Sequence, residues 1–272
     1  MMYWMFLLIV LGVCAIMCAV GFYKFLYFIS LGYGFAIVGG SIAILVIALV
    51  NGLSSELLWL NILQMACYIF YGLRLSGFLL YREIKSAAYL KSLKEDDRTM
   101  KRRSFSLSIV IWVTCFILYA AQVSPFLFRV ETNTEDIILP LVGIGVSIFG
   151  LIIESVADSQ KSAQKKVNPN SVATKGLYRV VRCPNYLGEI IFWTGSFISG
   201  ISSYSNHVEF WLISLFGYIS IVYIMFNSTK RLEKKQNERY GKDEEYIKYS
   251  STTPILIPLI PLYHLNKKKK DN

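Results

Sequence analysis

GLYRVVRCPNYLGEIIFWTG, residues Gly176–Gly195, places polar chemistry at the mouth of an apolar segment. Arg179 and Arg182 come just before it. Pro184 is predicted to open a helix, because its fixed φ suits the first helical position and its missing N–H costs nothing there. Asn185, Tyr186 and Glu189 follow inside the apolar run. Asn185 and Glu189 are four residues apart and so share one helix face. A carboxylate inside such a span is expensive unless it meets water, a partner or a ligand. An arginine-rich surface loop before an ordinary span is the plainer reading, but it gives Glu189 no role.

The surrounding chain explains why this segment belongs in a membrane. Its 272 residues are 54% hydrophobic and carry a net charge of +10, with 28 Lys and Arg against 18 Asp and Glu. In a soluble protein that balance would suggest nucleic acid. Here the basic residues lie between apolar runs, so the membrane surface accounts for them and no nucleic-acid partner is expected. The five cysteines are Cys14, Cys18, Cys67, Cys115 and Cys183, with no CxxC pair, and the histidines are His207 and His264. A disulfide framework or a metal site is not expected.

Seven apolar runs follow one another: Met5–Tyr23, Phe25–Val50, Glu56–Tyr81, Phe105–Phe128, Ile137–Val156, Asn185–Ser202 and Phe210–Phe226. Each approaches the roughly 20 residues that cross a bilayer. Lipid offers no hydrogen bonds, so each is predicted to be helical. Gly39-Gly40 permits close helix packing, and Asn51-Gly52 makes a turn. Arg82–Arg103 and Asp158–Lys175 read as charged loops. Lys230–Tyr249 reads as a helix on the membrane surface, and Pro254, Pro258 and Pro261 stop further helix. The expected fold is therefore an all-α integral membrane protein with about seven transmembrane helices and a C-terminal interfacial helix. It forms one polytopic domain, with an N-terminal helix pair over 1–53, a main region over 56–262 and a basic tail over 263–272.

Alternating spans put 26 of the 28 basic residues on one side. Of the other two, Arg74 lies within a span and Arg129 falls on the opposite side. The positive-inside rule makes the crowded side, and with it the C-terminus, cytosolic. The expected location is the endoplasmic reticulum in a eukaryote, or the plasma or inner membrane in a bacterium. Lys269 and Lys270, four and three residues from the end, match the spacing of a receptor-read dilysine address. A basic tail touching anionic lipid is the alternative.

This orientation places Arg74, Glu154, Asp158 and Glu189 near one depth at the cytosolic mouth, with Gln160, Lys161, Lys165, Arg179 and Arg182 over them. A purely structural ion-pair network is one reading. The other is a binding cavity, since buried ion pairs stabilise poorly. Arginines hold phosphates bidentately, carboxylates accept ribose hydroxyls, and the apolar spans would house a lipid.

Four patches in order carry a resemblance: YGLRLSGFLLYRE (Tyr71–Glu83), ESVADSQK (Glu154–Lys161), GLYRVVRCPNYLGEIIFW (Gly176–Trp193), and a tail with Leu232–Lys235, Tyr246, Tyr249, Thr253 and Ile257–Pro261. From about Leu60 to Pro261 the chain resembles the steroid 5-alpha reductase family, in its branch of small multi-span membrane proteins. The resemblance implies an NADPH-dependent oxidoreductase that reduces a carbon–carbon double bond in a lipid, such as a steroid, sterol or isoprenoid. It implies a cofactor site around Asp158, Arg179, Asn185, Tyr186, Glu189, Tyr246 and Tyr249, joined by Arg74, Glu154, Lys161 and Arg182. Tyr71 would polarise the substrate carbonyl. Spans one and two lack the acidic partner that the family places beside that tyrosine, Phe28 stands where related small proteins carry Asp, and Cys183 stands in place of a histidine. Two alternatives remain open: an S-adenosylmethionine-dependent isoprenylcysteine- or phospholipid-type membrane methyltransferase, and a non-catalytic member of the fold.

Overall fold

The structure is a computed structural model that describes residues 2–52, 55–85 and 105–266. Eight α-helices occur among them: α1 Met2–Cys18, α2 Leu31–Val50, α3 Ser55–Lys85, α4 Phe105–Thr132, α5 Ile138–Val167, α6 Pro184–Ser199, α7 Val208–Tyr240 and α8 Glu244–Thr252. No strand occurs among the described residues. Six helices, α1 to α5 and α7, are long and apolar enough to cross a membrane. The protein is an all-α integral membrane protein.

Three elements differ from the sequence reading. Segment 158–167 is not loop, because α5 continues for two and a half turns beyond Asp158. Its Gln, Lys and Ala residues are good helix formers, so the helix carries on where the apolar run ends. Lys230–Tyr249 is not one surface helix, because α7 runs unbroken through Tyr240 and α8 begins only at Glu244. The Asp243 side chain caps α8 by accepting from Glu245 N at 3.0 Å. The sixth apolar run forms a helix of only 16 residues, α6. At 1.5 Å per residue it is about 24 Å long, shorter than the hydrocarbon core. Most of the Arg82–Arg103 loop, at 86–104, and the lysines of the tail, at 267–270, lie outside the described residues.

The chain divides into two compact units, Met1–Ile144 with Gly195–Tyr218, and Gly145–Thr194 with Ile219–Asn272. In the first unit α2 is central, and its glycines let neighbouring helices approach. A Cβ at Gly39 would stand 2.9 Å from Met17 Cγ, and one at Gly34 would stand 2.4 Å from the Gly72 carbonyl. Asn51-Gly52 turns as expected, with Gly52 at φ +69°. Pro125 lies inside α4 and cannot bond the Ala121 carbonyl, but the Ser124 hydroxyl donates to that oxygen at 2.8 Å. A polar group freed in lipid is thereby satisfied locally. Arg129 is not a loop residue: it lies within α4, buried, and donates through Nη2 and Nε to Asn61 Oδ1 at 2.7 and 3.2 Å.

In the second unit the contact of α5 with α6 is built on small residues. Gly150 of α5 faces the backbone of Gly188 and Phe192, and Gly188 faces the backbone of Glu154. The Ser147 hydroxyl donates to the Phe192 carbonyl at 2.9 Å. Without a hydrophobic drive between helices in lipid, such close backbone approach is what holds them together.

Candidate functional site

The second unit contains the GLYRVVRCPNYLGE segment and the structure that fixes it. Gly176 has φ +69°, and a Cβ there would stand 2.3 Å from Gln160 Oε1. That oxygen accepts from Leu177 N at 2.8 Å. One turn on, Gln164 Oε1 accepts from Thr174 N and Lys175 N, both at 2.9 Å. The extended end of α5 therefore templates the approach to the motif. Tyr178 is buried with Ala157 and Ala173, and the Tyr249 hydroxyl donates to its carbonyl at 2.7 Å. Burial raises the phenol pKa of both tyrosines, so both are protonated donors at neutral pH.

The loop is fixed from its other side by the tail. Arg182 N donates to the Pro254 carbonyl at 2.9 Å and Cys183 N to the Ile255 carbonyl at 3.0 Å. The Arg182 guanidinium, 2% exposed, donates to the Tyr263 carbonyl and to Glu233 Oε1. Glu233 also accepts from His264 Nδ1 at 2.9 Å, Leu265 N at 3.0 Å, and Asn266 N and Nδ2 at 2.9 and 2.7 Å. Cys183 packs with Ile255 and Leu256. Burial pushes its thiol up to about 11, which leaves it a poor nucleophile at neutral pH. Pro184 opens α6 as predicted.

Beside this loop α5 and α7 wall an open cleft of ≈ 160 Å³. Lys161, Lys165, Lys235, Arg239 and Arg182 line it with Asn185, Gln236, Tyr178 and Tyr240, and no Asp or Glu does. Lys165 Nζ donates to the Tyr240 hydroxyl at 2.9 Å and to the Pro169 carbonyl at 3.1 Å. The Lys165 ammonium and the Arg239 guanidinium each lie 5.3 Å from the Tyr240 ring centroid. Arg182 is neutralised by Glu233, and Lys165, Lys235 and Arg239 add positive charge to the lining. A second groove, lined by Gln164, Asn168, Lys175, Asp243, Glu245 and Tyr246, mixes both charges.

Residues 33–253 match the family described as "Protein of unknown function (DUF1295)". The chain belongs to this family. The DUF1295 match takes in the whole cleft and ends before His264 and Asn266, the tail residues that hold Glu233. A Schizosaccharomyces pombe (strain 972) protein described as uncharacterized is 25% identical over 173 residues, 63% of this chain and 59% of its own. The chain thus spans less than two thirds of that relative's length. No solved structure matches.

Of the residues singled out in the sequence, Lys161, Arg182 and Asn185 line the cleft in this DUF1295 chain. Tyr246 lines the second groove, and its hydroxyl donates to Asn237 Oδ1 at 2.6 Å. Tyr249 holds the Tyr178 backbone. Tyr186 packs into the Cys183–Ile255–Leu256 cluster. Glu154 and Glu189 are buried on α5 and α6, Asp158 is half-buried, and Arg179 is exposed. Tyr71 and Arg74 belong to the first unit. There Tyr71 is fully buried and donates to the Tyr33 hydroxyl at 2.9 Å, and Tyr33 stacks on Tyr119 with centroids 4.7 Å apart. Sequence reasoning placed Lys165 over the polar set and Glu233 and Lys235 in a patch of the resemblance, but gave Glu233, Lys235 and Arg239 no role. The signal was spacing: Lys161 and Lys165, and likewise Lys235 and Arg239, are four apart and share a face once both segments are helical.

Proposed function

We propose that this protein is a membrane-embedded NADPH-dependent reductase of a carbon–carbon double bond in a lipid. The observation that carries the reading is the cation-lined cleft, free of acidic lining, that already includes Lys161, Arg182 and Asn185. Polyphosphate chemistry fits it, since Lys and Arg on two facing helices contact separate oxygens. The association of the family with steroid 5-alpha reductase-like membrane proteins supports the same reading. The basic bias of the sequence supports a cytosolic cleft, where a soluble dinucleotide is available. Lys235 and Arg239 would hold phosphates, Lys165, whose donors go to Pro169, Ser171 and Tyr240, would lend its charge, and Asn185 would hydrogen bond beside them. Bound there, NADPH would supply a hydride. Tyr71 is the proposed donor to the substrate carbonyl: its one O–H, given to Tyr33 in this structure, would turn to the substrate, where a phenol hydrogen bond stabilises developing negative charge.

The methyltransferase alternative fits the cleft less well, because S-adenosylmethionine carries a sulfonium cation and no phosphate. The test is titration of the full-length protein in detergent with NADPH and with S-adenosylmethionine. Lys235→Ala with Arg239→Ala removes two exposed cations and is expected to leave thermal stability unchanged. Each lost charged hydrogen bond costs about 1.5–3 kcal/mol, so NADPH affinity is expected to fall at least ~10-fold. Binding of S-adenosylmethionine alone, or NADPH affinity indifferent to the double variant, would overturn the proposal.

A further inference from the structure

The first unit holds a polar group that the proposed reaction does not use. Arg129 lies three residues before the end of α4 and is 4% exposed. Its Nε and Nη2 both point to Asn61 Oδ1, so one edge of the guanidinium is spent on a neutral amide. Nη1 is buried and has no hydrogen-bond partner among the described residues. The remaining edge, Nη1 with the second N–H of Nη2, is a two-donor fork matched to an oxyanion. The Phe126 ring also lies beside it, with the guanidinium 5.3 Å from the centroid. Among the described residues no carboxylate pairs with it, whereas buried charges are ordinarily paired.

Asn61 is also buried, and Gln64 follows it by one turn on the same face of α3. Gln64 is fully buried, and neither its Nε2 nor its Oε1 has a hydrogen-bond partner among the described residues. Asn61 is spent on Arg129 and, through Nδ2, on the Leu57 carbonyl at 3.2 Å, so the unspent donors are Gln64 Nε2 on α3 and Arg129 Nη1 on α4. Groups of this sort inside membrane helices mark ligand sites by default. The surroundings favour an amphiphile over a freely soluble anion: the fork is buried among apolar helices that read as membrane spans, one turn from the end of α4.

We propose that Arg129, Asn61 and Gln64 hold the oxyanion head of a membrane amphiphile, with its apolar tail lying along the spans. The head is a carboxylate or a phosphate. Arg129 would take two of its oxygens on the free edge, Asn61 would fix the guanidinium plane, and Gln64 Nε2 would donate to the same head. The site is independent of the NADPH cleft and does not require the reductase reading.

The test is thermal unfolding and native mass spectrometry of the delipidated full-length protein in detergent. The probes are oleate, dioleoyl phosphatidic acid and, as the neutral control, oleyl alcohol. Ligands that bind the folded state raise its melting temperature. Oleate or phosphatidic acid is expected to raise it saturably by several degrees and to be retained as a one-to-one complex, while oleyl alcohol does neither. A response to oleate alone identifies a carboxylate, a response to phosphatidic acid alone a phosphate, and a response to both a site for either. Arg129→Met, checked for native helicity by circular dichroism, is expected to lose the shift. Gln64→Leu keeps the cation and serves if Arg129→Met does not fold; it is expected to weaken apparent affinity about 10-fold. No shift with either anionic probe in the wild type, or an undiminished shift in Arg129→Met or Gln64→Leu, overturns the proposal.

Discussion

Glu233→Ala is expected to remove about 3–5 kcal/mol of stability and to release the chain beyond Thr253. Glu233 and Arg182 are both 1% exposed at their side chains, so neither charge is screened by water. Breaking one side of a buried pair leaves the other charge desolvated and uncompensated, which is the source of a penalty of this size. Here the loss is compounded, because the same carboxylate accepts from His264, Leu265 and Asn266. With the carboxylate gone, the tail loses the anchor that holds 264–266 to α7, and Arg182 keeps only the Tyr263 carbonyl. The measurement is a thermal melt with limited proteolysis. A protease site is expected to open between residues 254 and 266 before global unfolding. His264→Ala, which removes one partner and spares the pair, is expected to cost only about 1 kcal/mol. A Glu233→Ala melt within about 1 kcal/mol of wild type, with an uncut tail, would show that the cluster does not hold the tail.

The spans are legible because lipid leaves the backbone one choice, and long apolar runs announce it. Pro184 is legible as the start of α6, and so are the Gly39-Gly40 contact and the Asn51-Gly52 turn, since each is set by one or two adjacent residues. The cleft is less legible. Hydropathy ends at Asp158 and at Lys230, but α5 and α7 do not. Helix propagation past the membrane depends on the Gln, Lys and Glu residues there, which carry no apolar signal. Reading those stretches as loop or surface helix obscures that Lys161 and Lys165, and likewise Lys235 and Arg239, share a helix face.

Glu233 and Arg129 are illegible for another reason. Glu233 meets partners 51 residues before it and up to 33 after it. Arg129 meets Asn61 at a separation of 68. Neither pairing is periodic, so a local pattern cannot expose it. Arg129 reads as a loop cation because charge usually ends a span, but an amide on a neighbouring helix lets this one stay inside.

Gly150→Val is expected to separate α5 from α6 at a cost of about 3 kcal/mol, at the upper end of ordinary overpacking. A Cβ at Gly150 would stand 2.4 Å from Phe192 N and 2.6 Å from the Gly188 carbonyl. Both are backbone atoms of α6 and cannot rotate away as a side-chain end does. The helices must move apart, which also stretches the Ser147–Phe192 hydrogen bond and disturbs the backbone contact of Gly188 with Glu154. Gly145→Ala is the matched control, since nothing lies within 4 Å of a Cβ there. Alanine in a helix interior is favoured over glycine by up to about 1 kcal/mol, so that variant is expected to melt at or above the wild-type temperature. The two substitutions lie five residues apart on one helix and differ in sign because only one faces a neighbouring backbone. Because α6 begins at Pro184 and carries Asn185, its displacement is also expected to weaken NADPH binding in Gly150→Val while leaving it unchanged in Gly145→Ala. Equal melting temperatures for the two variants would show that the close approach of α5 and α6 does not hold this unit together.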